Sequence, residues 1–132
     1  MDQEKEFNKI HTWIVHKGYH LIVDSKIDNG IDHKSKIISL NSRYNKTDKI
    51  YILLHECGHL LALSNKKSKF FLLKDSFEEG SASFKVFRIE EEIDAWNRAK
   101  VLAKRLNIPI EDDKWEEMFS AAILKYIKWA AK

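Results

Sequence analysis

A single cysteine, Cys57, stands in this chain of 132 residues, which excludes an intramolecular disulfide and leaves no thiol set for a separate zinc ribbon. One thiol also fits a reducing cytosol. There is one proline, Pro109, and only four glycines; no internal repeat and no low-complexity segment is present. The opening residues, Met1-Asp2-Gln3-Glu4-Lys5-Glu6, lack the apolar run of a signal peptide, and no stretch is long and apolar enough to span a bilayer. A cytoplasmic location, in a bacterial cell or a phage-infected host, is therefore expected. Excess charge is missing too: a net charge of +3 is too small to argue for nucleic acid or an anionic membrane as a partner. What remains, 44% apolar and 33% charged residues, describes an ordinary soluble protein. The length predicts a single domain, residues 1–132, with one core.

Within the most apolar helix-like stretch stands His55-Glu56-Cys57-Gly58-His59, an H-E-x-x-H. Two histidines four apart lie one above the other on a helix face, so their imidazoles can converge on one ion. The glutamate between them is turned about 100° away, placed to handle a water rather than to share the ion. With six His and eleven Glu in the chain, chance placement yields roughly 0.02 such strings. Ile50 to Leu54 lead into the motif and Leu60 to Leu63 leave it, so the helix is apolar on nearly all sides and predicted to be buried. Polar groups in such a helix need partners, because burying them alone costs about 2–7 kcal/mol. A metal would supply that partner; two core histidines bonded to backbone carbonyls are the bland alternative. Thr47 followed by Asp48 reads as the N-cap with an acidic first turn, and Ser64-Asn65 closes the helix. Cys57 points away from both imidazoles and reads as a small core residue.

Elsewhere the pattern predicts an amphipathic helix over 3–17, with Phe7, Ile10 and Ile14 on one stripe and Gly18 as its stop. Strands are predicted over 19–25 and 36–42, separated by the turn Asp28-Asn29-Gly30. Lys66 to Lys69 is a solvated basic turn. Glu78 to Ser81 is a turn, residues 83–88 alternate like a strand, and a helix follows from about 90 to 106. Asp113 with Glu116 makes a capping box for a last helix over 114–131. Its stripe Trp115, Met118, Phe119, Ala122, Tyr126 and Trp129 faces the core.

A catalytic zinc takes three protein ligands and keeps one position open. Downstream, Glu92 shares its helical face with Ala95, Ala99, Leu102 and Leu106, the small apolar side that would pack on the motif helix. Glu90 and Glu91 project nearer solvent. Glu92 is thus the expected third ligand and Glu91 the runner-up. Glu78 and Glu79 are weaker candidates beside Gly80, and all three helical glutamates can also be explained by the helix dipole. His11, His16, His20 and His33 read as surface or edge residues.

H-E-C-G-H-L-L followed by E-x-x-A-W resembles the short gluzincin-type peptidases of the IrrE/ImmA group. It is most similar to small stand-alone zinc peptidase-like proteins of tailed phages and some bacteria. The resemblance covers roughly residues 36–106. It implies an α+β, minimal zincin-like fold: a small, mostly antiparallel sheet packed on the H-E-x-x-H helix, a Glu-bearing helix and a C-terminal helix. It also implies Zn2+ held by His55, His59 and Glu92, with Glu56 as the catalytic acid/base and Ala95 in the E-x-x-A alanine position. Trp96 departs from the longer members, which carry a small polar residue there, and no helix-turn-helix domain is present.

The expected activity is zinc-dependent hydrolysis of peptide bonds in a protein or peptide substrate, the water activated by zinc and Glu56. An extended peptide would add as a strand to the edge formed by residues 36–42. No second electrophile is assigned; Tyr44 lies near the expected rim of the cleft and reads as a surface tyrosine. The competing readings are a zincin-fold binding module without turnover and a SprT-like DNA–protein crosslink protease. The first would have no use for Glu56, and the second would carry a basic element or zinc ribbon. Substrate identity and oligomeric state stay open.

Overall fold

The apolar run around residues 50–63 forms the central helix, and the remaining elements are arranged on it. The computed structural model describes residues 3–132. Among these, five helices and a three-stranded mixed sheet make an α+β fold, in the order α1 (Gln3–His16), β1 (His20–Asp24), β2 (Gly30–Asp32), β3 (Ile37–Asn41), α2 (Lys46–Ser64), α3 (Lys69–Leu72), α4 (Ala82–Arg105) and α5 (Asp112–Ala130). None of these helices is long and apolar enough to cross a membrane.

Helix α1 ends as its sequence predicts. Gly18 takes φ +83°, and the amides of Gly18 and Tyr19 return to the carbonyls of Val15 and Ile14 at 3.0 and 3.2 Å. This is a Schellman closure, which needs the left-handed conformation glycine adopts without strain. Ile10 and Ile14 on its inner stripe are fully buried and join Leu53, Leu54, Leu60 and Leu102 in the main core. Each such side chain contributes about 1.5–3 kcal/mol by burial.

The sheet differs from the expected one. Its order is β1-β3-β2; β1 pairs with β3 in parallel over five positions, from His20↔Ile37 to Asp24↔Asn41. The antiparallel ladder, β2 with β3, is only three pairs long. The sheet is therefore mixed, with the parallel ladder the longer, and not mostly antiparallel. The turn expected at Asp28-Asn29-Gly30 lies earlier, at residues 25–27, and Gly30 already opens the three-residue β2; just before it, Asn29 Oδ1 accepts from the Asn41 amide at 2.7 Å. Because β3 is the middle strand, residues 36–42 present no free edge, and the expected docking edge does not exist there. Among the described residues β2 pairs on one side only.

Helix α2 is capped by Asn45, whose Oδ1 accepts from the Asp48 amide at 2.9 Å. Thr47, the expected cap, lies inside the first turn and accepts instead from Gln3 Nε2 at 2.6 Å. The strand expected over 83–88 is the first turn and a half of α4. Ser81 caps it, accepting from the Phe84 amide at 3.1 Å, and Phe87 packs with Phe70 and Phe77 at centroid distances of 5.5 and 5.2 Å. Apolar residues that alternate along a strand here share a helical face against a small aromatic cluster. The Asp113–Glu116 capping box does not form. The cap of α5 is Glu111, without a side-chain bond, and its amide donates to the Tyr51 hydroxyl at 2.8 Å. A tertiary contact with α2 starts that helix.

Helix α2 lies along α4, and their approach is set by one residue. A Cβ on Gly58 would meet the Ala95 carbonyl oxygen at 1.9 Å and its carbon at 2.7 Å. Only a hydrogen fits between the helices there, which brings the backbone of α4 onto the motif helix and Glu92 onto the histidines.

Candidate metal centre and cleft

His55 and His59 sit one turn apart on α2, ring centroids 4.7 Å apart and Nε2 atoms 3.1 Å apart. From α4, Glu92 places Oε1 at 2.5 Å from His55 Nε2 and at 3.2 Å from His59 Nε2, with Oε2 at 3.0 Å from His55 Nε2. Three donor atoms thus face one point. Glu92 can accept from both Nε2–H groups, but the two Nε2 atoms then face each other at 3.1 Å with both hydrogens between them. A cation suits this triangle. Tetrahedral zinc with bonds near 2.0 Å separates its ligand atoms by about 3.3 Å; the spacings of 3.1 and 3.2 Å fit, and the 2.5 Å spacing is tighter.

His55, Glu56 and His59 also form a group whose potential ligand atoms lie within 4.8 Å of one another, so these residues can hold a metal ion. Glu56 and Glu92 nevertheless occupy different positions. Glu56 Oε2 lies 4.0 Å from Nδ1 of His55, the nitrogen away from the convergence, whereas Glu92 engages Nε2 of both rings. Of the two carboxylates, Glu92 completes the donor triangle and Glu56 flanks it.

Their environments separate the two acids further. Burial pushes the Glu56 carboxyl up to about 7, with His59 opposing and Glu92 adding to the rise. Burial would raise Glu92 as well, but hydrogen bonds and charge from His55 and His59 outweigh it and hold that carboxyl at about 2. Two carboxyls pushed in opposite directions are the usual arrangement of an acid/base beside a permanently ionised group.

The histidines are positioned by packing. Trp96 stacks on His55, with centroids 4.5 Å apart and planes at 19°, and is wedged in turn by Trp115 at 5.1 Å and Phe119 at 6.1 Å. Trp115 also meets Tyr51 at 5.2 Å. An aromatic column therefore runs from the start of α5 to the imidazole. This gives the tryptophan at the fourth place after Glu92 a concrete role.

The centre lines a cleft of about 920 Å³. Asn29, Gly30, Ile31 and His33 line it from β2 and the residues that flank that strand. Met118, Ala122, Lys125 and Tyr126 of α5 line it as well. Part of the aromatic stripe of α5 is thus cleft wall rather than core: Trp115 is buried, Met118 and Tyr126 border the cleft, and Trp129 is 38% exposed.

Glu91, expected nearer solvent, is buried and held by Arg88 Nη1 at 2.5 Å; it borders the cleft but turns to the guanidinium, not the imidazoles. Glu90 is the exposed member and pairs with Lys69. Glu78 and Glu79 are exposed in the turn before α4. Cys57 is fully buried in the main core. His11, His16 and His20 are exposed, as expected, and Tyr44 is 44% exposed at the cleft rim. His33, in the turn after the edge strand β2, is partly buried and borders the cleft. No sequence spacing ties His33 to the motif, because a turn and a strand separate them. Trp96 and Tyr126 carry the helical period of core residues, which concealed their second role.

Comparison of the chain with protein-family models, with curated proteins and with solved structures found no match.

Proposed function

We propose that the chain is a zinc-dependent metallopeptidase of zincin-like fold, akin in its site to the IrrE/ImmA group, that hydrolyses peptide bonds in a protein or peptide substrate. The observation that carries this reading is the convergence of His55 Nε2, His59 Nε2 and Glu92 Oε1 within 3.2 Å, with a second buried carboxyl, Glu56, beside but outside it. A purely structural metal site has no use for that second acid.

His55, His59 and Glu92 would hold the ion. Bound zinc would polarise the scissile carbonyl and acidify a water at its open position. Glu56 takes the proton of the attacking water and passes it to the leaving amine as the C–N bond breaks, so that water and peptide become a carboxylate and an amine. The cleft supplies room for an extended chain. The unpaired side of β2, whose Gly30 and Ile31 line it, offers main-chain groups to a substrate strand, in place of the edge first expected on residues 36–42.

The test is cleavage of a defined peptide mixture by the zinc-loaded chain, followed by mass spectrometry. Turnover should vanish with a chelator, return with zinc, and fall about 10²–10⁴-fold in Glu56→Gln with zinc content unchanged. Cleavage that survives chelation, or Glu56→Gln turnover equal to native, contradicts the reading.

A further inference from the structure

His33 follows β2 in the turn that leads to β3 and borders the same cleft as His55, Glu56, His59 and Glu92. Its Nδ1 lies 3.1 Å from the hydroxyl of Tyr19, and the two rings meet edge to face at 81°. Tyr19 is buried, at 9% exposure, and its hydroxyl has no other hydrogen-bond partner among the described residues. Two proton arrangements satisfy a hydroxyl facing a ring nitrogen. If Nδ1–H donated to the tyrosine oxygen, the hydroxyl hydrogen would find no acceptor among the described residues and would have to turn to solvent. If the tyrosine O–H donates to Nδ1, both groups are satisfied and the imidazole proton resides on Nε2. That N–H is then the ring's remaining donor, on a residue that borders the cleft. Burial also holds the imidazole below its ordinary value, with His59 and Lys74 acting the same way and Asp32 opposing, which favours the neutral ring.

Resting on the peptidase reading, we propose that His33 is a catalytic residue of this site: its Nε2–H donates a hydrogen bond to the substrate carbonyl oxygen as that oxygen gains negative charge, and Tyr19 is the positioning residue that fixes the tautomer. No proton leaves His33; the water's proton passes through Glu56 to the amine, and His33 only stabilises the charge that builds up between these transfers. Tyr126 across the cleft is the rival donor. It is partly buried on α5, but among the described residues no partner orients its hydroxyl as Tyr19 orients His33.

The tautomer is tested first, on the full zinc-loaded chain with ¹⁵N-labelled histidine. Long-range ¹H–¹⁵N correlation should show His33, identified by its loss in His33→Gln, as the Nε2–H form, with the Nδ1–H form gaining population in Tyr19→Phe. An Nδ1–H form in the native chain overturns the proposal. Kinetics follow on the peptide that the native chain cleaves fastest from the defined mixture. His33→Ala should lower kcat about 10²–10³-fold, as removal of one oxyanion donor does, with KM within about threefold and zinc content unchanged. His33→Gln, which keeps an N–H donor, should recover part of that loss, and Tyr19→Phe should lower kcat by a smaller factor. Native-like kcat in His33→Ala, or a kcat loss found in Tyr126→Phe instead, overturns the proposal while leaving the peptidase reading standing. A native chain that binds zinc and cleaves nothing removes both.

Discussion

Trp96 lies face to face with His55, and its other neighbours, Trp115 and Phe119, belong to the core and its margin. Removing the ring should therefore affect both stability and metal binding. Trp96→Ala is expected to cost about 3–5 kcal/mol in urea unfolding and to weaken zinc binding measured against a competing chelator. Trp96→Phe keeps an aromatic face on the imidazole and should cost less on both measures. Equal zinc affinity in Trp96→Ala and native protein would separate the stack from the site. At His33 the sign of the pH effect follows from its depressed basicity. Between its lowered folded value and the ordinary value of about 6.5, the unfolded chain binds more protons than the folded one. Stability contributed by neutral His33 is therefore present above about 6.5 and is lost as pH falls below it. With zinc removed from both proteins, native should lose more stability than His33→Gln between about pH 7.5 and about pH 5.5; parallel losses would contradict this. The residues of the centre were the most legible part of the chain, since His55, Glu56 and His59 declare themselves by helical spacing and Glu92 by the face it shares with Ala95 and Ala99. His33 was not legible, because its relation to the centre exists only through the path of β2 and the Tyr19 contact.

Two helices carry the centre, and their separation is controlled by Gly58 against Ala95. A methyl group at Gly58 would fall 1.9 Å from a backbone oxygen, and backbone cannot yield as a flexible side chain does. Gly58→Ala should force α2 and α4 apart, costing about 1–3 kcal/mol or more in urea unfolding and reducing zinc affinity through displacement of Glu92. Native-like zinc binding in that variant would show that the helix spacing does not govern the site. At the start of α4, Ser81→Ala removes the cap bond to the Phe84 amide and should cost about 1 kcal/mol, readable by the same unfolding measurement. A neutral outcome there would place the helix start elsewhere. That boundary is also where the sequence misled. Ser83 to Arg88 fits a period of two as well as a helical face, and only the packing of Phe87 on Phe70 and Phe77 decides between them. Strand β2 escaped notice for a related reason: three residues after a turn are too few to display any period. The start of α5 depends on the Tyr51 hydroxyl from another helix, a contact no local pattern announces.

Across the whole molecule, four regions distant in sequence meet around one cleft. The turn after β2 supplies His33, the central helix supplies His55, Glu56 and His59, and α4 supplies Glu92, with α5 closing the far side. The general α+β character and the helix packing were readable from hydrophobic patterning, whereas the strand order was not, because pairing β1 with β3 rather than β2 leaves no trace in either strand's composition. That order determines which strand borders the cleft. The metal assignment is tested most directly by zinc stoichiometry on protein purified without an affinity-tag metal, comparing the native chain with Glu92→Ala and Glu56→Gln. One zinc per chain, retained in Glu56→Gln and weakened at least about tenfold in Glu92→Ala, is the predicted result. A native chain without zinc, or Glu92→Ala that binds zinc as tightly as native, would contradict the assignment of His55, His59 and Glu92 as the ligands.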